Sequence, residues 1–174
     1  MEDLRYPIGK FSAREGLKAF GYKSLIAEIA SAPALVRKAV EGLDDSQLDT
    51  PYRPDGWTVR QVIHHLPDSH MNAYVRFKLG MTENHPTIRP YEEARWAELP
   101  EARSAPPELS LILLENLHRR WVAFLEALKP EDYLRTLNHP ETGTMTLDAL
   151  LQLYAWHGKH HTAHITSLRK RMGW

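Results

Sequence analysis

Residues 108–128 read ELSLILLENLHRRWVAFLEAL, and apolar side chains recur along them every three or four positions. The apolar positions are Leu109, Leu111, Ile112, Leu114, Leu117, Trp121, Phe124, Leu125 and Leu128. This is the period of one face of an α-helix, so the segment is predicted to be a long amphipathic helix. Such a helix has to bury its apolar face against other elements, which makes a helical fold the first expectation.

Three more segments have the same period, and they cover residues 22–42, 58–80 and 146–172. Thr58 and Gln61 have the spacing of a capping box, which predicts a helix start at Thr58. We expect Pro33 in the first turn of a continuing or fresh helix, and we expect Pro67 to kink its helix just past His65. Four long amphipathic helices predict an all-α four-helix bundle.

The connections between these helices have distinct compositions. Residues 81–106 are polar and rich in proline, so they are expected to form a long irregular crossover, of the kind that often serves as a functional lid or a packed loop. Residues 45–48 predict a short helical turn, and another is expected after Pro130. Residues 137–139 and 145–147 flank Pro-Glu-Thr-Gly, which indicates a small β-hairpin before the last helix.

The length and composition of the chain limit the number of domains and the classes of partner that it can have. A chain of 174 residues predicts a single domain, residues 1–174. The 22 basic and 22 acidic residues are balanced, so there is no basic surface that would indicate nucleic acid as a partner. No apolar run approaches the ~20 residues that cross a bilayer, which argues against a membrane protein. The acidic start, Met1-Glu2-Asp3-Leu4-Arg5, lacks a signal peptide pattern and favours a cytoplasmic location.

Histidine is the one residue type that this chain has in excess. The chain has ten histidines and no cysteine, so any metal site must use nitrogen and oxygen ligands. The last helix offers two pairs at helical spacing, His157 with His161 and His160 with His164, and each pair could share one ion. Histidines at such spacing also occur as solvated or core residues, so the pairs alone leave both interpretations open.

A polar stripe on the second long helix supplies a further imidazole. His65, Ser69, Asn72 and Arg76 follow one another at helical steps and share one face. This stripe predicts a polar groove next to the core, although a solvent-exposed face would have the same pattern. Three neutral imidazoles from two helices describe an open site for Zn²⁺, Ni²⁺ or a similar ion, with further positions left to water or substrate.

Two segments resemble signature motifs of the DinB-like four-helix bundles. Residues 57–66, WTVRQVIHHL, resemble the family's W-[ST]-x-x-x-x-x-x-H-L, and residues 157–165, HGKHHTAHI, resemble its C-terminal H-x-x-x-H-x-x-[QH]-I. Within this superfamily the chain is most similar to the YfiT branch of metal-dependent hydrolases. The similarity also includes YPIG at 6–9, DSHMNA at 68–73, RFK at 76–78, RPY at 89–91 and YAWHGKHH at 154–161.

The resemblance implies a ligand set and an assembly. Carried over residue by residue, the metal-binding histidines fall on His65, His157 and His161, with one divalent ion per subunit. His164 is on the ligand face and is a candidate for supporting a ligand or carrying a proton. The family usually has a helix former at Pro67, so a kink there is expected to shift Ser69, Asn72 and Arg76. The resemblance also implies a cytoplasmic homodimer.

These features lead to two functional hypotheses. The first is a metal-dependent hydrolase-type enzyme whose ion activates water or an external low-molecular-weight thiol, as in the related bacillithiol S-transferases, and acts on a small-molecule substrate. Ser69, Asn72 and Arg76 are candidate substrate-site residues, and Asn72 and Arg76 would receive developing negative charge. The second is a non-catalytic metal-binding, stress-related dimer or scaffold.

The second hypothesis rests on the lack of an obvious general base. Glu115 and Asp148 lie on flanking helices, and no motif ties either of them to the ion. Trp57, Trp121 and Trp156 are expected to be core residues rather than a substrate cage.

Overall fold

Four long helices dominate the computed structural model, which describes residues 3–14 and 19–174. They are α1 (Ala19–Val40), α3 (Val59–Thr82), α6 (Pro107–Glu126) and α7 (Leu147–Met172). Short helices lie between them: α2 (Asp45–Leu48), α4 (Glu93–Trp96) and α5 (Pro100–Ser104), with a 3-10 turn at Pro130–Leu134. Within these described residues, no helix has the length and apolar character needed to cross a membrane.

The hairpin predicted before the last helix is present. β1 (Thr136–His139) and β2 (Gly143–Thr146) pair antiparallel, with Leu137 opposite Met145. Gly143 has φ +81°, a conformation that glycine adopts without a steric penalty, and this allows the tight turn.

Local sequence signals account for the starts of α3 and α7. Thr58 caps α3 through the predicted capping box, because its hydroxyl accepts from the Gln61 N–H while the Gln61 side chain accepts from the Thr58 N–H. Thr146 caps α7 in a similar way by accepting from the N–H of Ala149.

Two expectations need correction, one about Pro33 and one about the crossover. Pro67 lies inside α3 as expected, and this helix runs to Thr82. Pro33, however, lies inside α1 rather than in a first turn. The crossover predicted to be irregular contains α4 and α5. Pro100 begins α5, because proline at a first helical position loses no intrahelical hydrogen bond.

Contacts between the long helices define their order in the bundle. α1 packs against α6 and α7, and α3 also packs against α6 and α7. The helices therefore follow one another around the bundle as α1, α7, α3 and α6. Because α3 and α7 are neighbours, polar side chains from these two helices can meet between them.

The buried apolar side chains form two clusters. The first includes Ile29, Phe77, Trp121 and Leu150. The second includes Val36, Ile63, Leu114 and Ile165. Along α1 and α7 the first cluster precedes the second, whereas along α3 and α6 the second comes first. The α1–α7 pair and the α3–α6 pair therefore run in opposite directions.

A layer of histidines lies where the two clusters meet, and we call it the histidine layer. Its members are His65 and His70 of α3, His118 of α6, and His157, His160, His161 and His164 of α7. Burial lowers the pKa of all seven below the ordinary value of 6.5. The layer is therefore uncharged at neutral pH.

Gly158 brings α7 close to α1 at this layer. A Cβ atom at Gly158 would lie 3.0 Å from the Cβ of Ala32 and 3.8 Å from Cε1 of His70. A larger side chain would push the two helices apart, so glycine keeps the histidine layer closely packed.

The Thr58 cap is expected to contribute measurably to stability. Thr58→Ala should lower the free energy of unfolding by about 1 kcal/mol, since it leaves the Gln61 N–H without its acceptor. Urea denaturation measures this change. Thr58→Ser keeps the hydroxyl and should lose much less, and equal losses in the two variants would contradict the cap.

The stability of the metal-free protein should fall in mild acid. Burial lowers the pKa of His118 to about 4, whereas the unfolded chain has the ordinary value of 6.5. Between these values the unfolded state binds more protons, so stability decreases as the pH falls from 6.5 to 4, by up to about 3 kcal/mol from His118 alone. Urea denaturation at pH 7.5, 6 and 5 should show this decrease. His118→Leu should show a shallower pH dependence, and an identical slope would contradict the assignment.

Candidate metal centre

Three histidines from two neighbouring helices converge at the histidine layer. They are His65 of α3 and His157 and His161 of α7, and one ring nitrogen from each lies within 4.8 Å of the other two. Nε2 of His65 and Nε2 of His157 are 3.4 Å apart. Within residues 3–14 and 19–174 this is the one group of three potential metal ligands found. These are also the three ligands that the family resemblance implies.

The spacing and chemistry of these nitrogens fit a divalent ion. Imidazole nitrogens bind Zn²⁺ at ~2.1 Å, so two of them in a tetrahedral site stand roughly 3.4 Å apart. The His65–His157 separation has this value. Three neutral nitrogen ligands suit Zn²⁺ or Ni²⁺, and they leave a position open as in catalytic rather than structural sites.

Hydrogen bonds on the far side of the rings hold the two ligands of α7. Nδ1 of His157 lies 3.0 Å from Nε2 of His70. Nδ1 of His161 lies 3.3 Å from Nδ1 of His164, whose Nε2 lies 3.1 Å from the carbonyl oxygen of Arg5. A carbonyl can only accept, so His164 is protonated at Nε2 and its Nδ1 accepts from His161. The Nε2 lone pair of His161 is then free for an ion.

Burial keeps all three ligand rings neutral. It lowers the pKa of His65 to about 4, and it lowers the pKa of His157 and His161 well below the ordinary range. The neighbouring histidines reinforce the effect, because two positive charges at this distance would repel each other. Since only a neutral imidazole binds metal, the site needs no deprotonation step at neutral pH.

Two cavities open onto the ligands. The first, of about 450 Å³, is lined by all three ligands and by the rings of Trp57 and Trp156. Trp57 lies over His65, with ring centroids 4.7 Å apart. The first cavity therefore provides an aromatic wall beside the candidate ion.

The second cavity, of about 560 Å³, lies on the other side of His157. Ser69, Arg76, Tyr91 and Tyr154 line it, and His157 borders both cavities. The Ser69 hydroxyl is 3.5 Å from the Tyr154 hydroxyl. Of the predicted polar stripe, Ser69 and Arg76 line this cavity although Pro67 precedes them in α3, whereas His65 lines the first cavity.

Other predicted residues lie elsewhere. Asn72 donates its side-chain amide to the carbonyl of Asp68 in its own helix, at 2.9 Å, and lines neither cavity. Glu115 pairs with Arg37 at 2.5 Å, and Asp148 lies in the first turn of α7, so neither of these carboxylates lines a cavity beside the histidines. His164, by contrast, lies where a supporting residue is expected, against His161.

Some residues of the site carried no sequence signal of their own. His70 and His118 were not predicted, because their pairing joins α3 to α6 across 48 positions. Glu93 of α4 lines both cavities, yet it lies in the crossover that was expected to be irregular. Trp121 is a core residue as predicted, with 0% exposure. Trp57 and Trp156, expected in the core, instead line the first cavity.

Comparisons with known proteins agree with this geometry. The family model described as DinB superfamily matches residues 28–165. The chain is 56% identical over 174 residues to proteins of Bacillus cereus (strain 03BB102) and Bacillus anthracis (strain A0248), and the match covers all of this chain and all of each relative. Both relatives carry the name "Putative metal-dependent hydrolase".

A solved structure shares the architecture. YfiT from Bacillus subtilis aligns with a TM-score of 0.96 and 51% identity over 98% of each chain. It is described as a probable metal-dependent hydrolase with an unusual four-helix bundle topology. This match confirms the predicted bundle, and together with the family model it shows that the chain belongs to the DinB superfamily.

Proposed function

We propose that this protein is a metal-dependent enzyme of the hydrolase type. In this proposal His65, His157 and His161 hold one divalent ion, Zn²⁺ or Ni²⁺, and the site activates a small nucleophile. The observation that carries the proposal is the convergence of three neutral imidazoles on a point that opens into two cavities. When bound, such an ion supplies Lewis-acid chemistry that lowers the pKa of water or of a thiol toward neutrality.

Two unpaired donors indicate the class of substrate. Nε of Arg76 and the hydroxyl of Tyr91 are buried and have no hydrogen-bond partner among the described residues. Both residues line the cavity that His157 borders. Because a buried donor without an acceptor is costly, a substrate oxygen is the natural partner. We infer a substrate with a carbonyl or anionic oxygen, whose developing negative charge the Arg76 guanidinium stabilises.

Glu93 is the carboxylate best placed to move a proton. It lies between the two cavities, and His157 borders both of them as well. A carboxylate at this position can take the proton of the attacking nucleophile and pass it to the leaving group. In this proposal Glu93 supplies the general base whose absence from the sequence motifs favours the non-catalytic scaffold.

The nucleophile is water or an external thiol. The chain has no cysteine, so a thiol must come from a small molecule. The names of the relatives favour hydrolysis. The first cavity is wide enough to admit a small thiol beside Trp57, so both nucleophiles enter the test below.

The decisive experiment measures metal content and turnover together. We expect the protein purified without chelator, or reloaded with Zn²⁺, to hold one ion per chain. It should hydrolyse small esters or amides, or conjugate a small thiol to an electrophile, and chelation should abolish this activity reversibly. Elemental analysis and parallel assays of both reactions measure these outcomes.

A pair of adjacent histidines provides the matched control for that experiment. His65→Ala and His161→Ala should each lose the ion and the activity. His64→Ala should keep both, because His64 is also buried in α3 but contacts Ser110 and the carbonyl of Ala105 instead. Metal retained stoichiometrically by His161→Ala would overturn the site, and a loaded protein inactive in both assays would favour the scaffold.

The role of Glu93 has a separate test. Glu93→Gln should lower kcat by about 10²–10⁴-fold with an unchanged metal content, since the amide cannot accept the proton. Glu101→Gln, an exposed position that lines neither cavity, is the control and should behave like the wild type. An unchanged kcat in Glu93→Gln would exclude this role.

A further inference from the structure

A row of imidazoles leads from the candidate metal site into the bundle. Nδ1 of His157 lies 3.0 Å from Nε2 of His70, and Nδ1 of His70 lies 2.7 Å from Nε2 of His118. Nδ1 of His118 in turn lies 2.7 Å from the carbonyl oxygen of Ile29 in α1. The row therefore joins helices α7, α3, α6 and α1 in sequence.

Proline explains why the Ile29 carbonyl is available. In an α-helix this carbonyl would accept a hydrogen bond from the N–H of residue 33, four positions later. That residue is Pro33, which lies inside α1 and has no N–H. The carbonyl of Ile29 is thus left without its intrahelical donor, and His118 takes the place of that donor.

The carbonyl determines the protonation of every ring in the row. It can only accept, so His118 carries its proton on Nδ1. Burial lowers the pKa of His118 to about 4, so the ring is neutral and its Nε2 must accept from Nδ1–H of His70. By the same logic Nε2 of His70 accepts from Nδ1–H of His157. The Nε2 lone pair of His157 is then left facing His65.

We propose that Pro33, His118 and His70 form a positioning relay that fixes the Nδ1–H tautomer and the ring orientation of His157 for metal binding. This inference rests on the proposed metal-dependent function and adds to it three residues outside the ligand set. Ligand histidines are commonly oriented by a partner on their second nitrogen, and loss of such a partner weakens metal binding. The relay extends that support through two further imidazoles to a backbone carbonyl.

The relay orients His157 and does not conduct protons. Its inner end is a peptide carbonyl, which accepts a hydrogen bond but does not take up a proton at neutral pH. His70 is fully buried and His118 is 2% exposed, so neither ring exchanges protons directly with solvent. Trp121 packs edge-on against both rings, at centroid distances of 5.9 and 5.6 Å, which holds them in place.

The first test reads the tautomers directly. Long-range ¹H–¹⁵N correlation spectra of the metal-free protein at pH 7.5 should show His157, His70 and His118 protonated at Nδ1. His118→Leu and His70→Leu assign the signals by their loss. Protonation of His118 or His157 at Nε2 in the wild type would overturn the relay, and this test requires no bound metal.

The second test measures zinc affinity by competition with a chromophoric chelator. His70→Leu should bind Zn²⁺ about 10–100-fold more weakly, and His118→Leu about 10-fold more weakly, because His157 loses its fixed orientation. His64→Leu is the control for removing a buried histidine from α3, and its affinity should be that of the wild type.

The outcomes separate the relay from the proposed function. Unchanged zinc affinity in folded His70→Leu and His118→Leu would overturn the relay while leaving the metal site intact. A wild type that binds no zinc would overturn the proposed function instead, and the tautomers would still test the relay. Pro33→Ala adds a competing N–H at the Ile29 carbonyl, so it should shift the Nδ1–H signal of His118 and leave that of His161 unchanged.

Discussion

The histidine layer depends on one requirement, which is that the buried imidazoles supporting the candidate ligands must be neutral and hydrogen-bonded. Seven histidines lie where the two apolar clusters meet, and burial lowers the pKa of each. Two backbone carbonyls, those of Ile29 and Arg5, end the two hydrogen-bonded rows that lead away from the candidate ligands. Because a carbonyl only accepts, each row leaves a free nitrogen on its ligand histidine.

The histidine layer also explains two residues, Pro33 and Gly158, that helix propensity disfavours inside a helix. Proline inside a helix normally destabilises it by removing a hydrogen bond. In α1 the carbonyl left free by Pro33 accepts from His118 instead, so the loss is offset by a bond between helices. Gly158 is likewise unfavourable within a helix, yet it allows α7 to approach α1 next to His70.

The crossover between α3 and α6 completes the site from outside the bundle. A parallel bridge pairs Thr87 with Asn138 of β1, which ties the crossover to the hairpin. The crossover then places Tyr91 and Glu93 along the cavities beside His157. Two rigid helices thus hold the candidate ligands, whereas a connecting segment supplies the groups that would meet the substrate.

Local sequence was sufficient for the long helices, the Thr58 cap and the two candidate histidine pairs of α7. Helical periodicity, the Thr58 capping box and the spacing of His157 and His161 each act within a few residues, so they can be recognised without a fold. The choice of His157 and His161 over the other pair, and their combination with His65, needed the resemblance to a family, because His65 and His157 are 92 positions apart. The roles of His70, His118 and Glu93 emerge only when distant helices pack, since each depends on a partner brought near by the bundle. A local sequence pattern predicts the structure that a segment can form alone. Which buried polar groups contact one another is determined only by the packing of the helices.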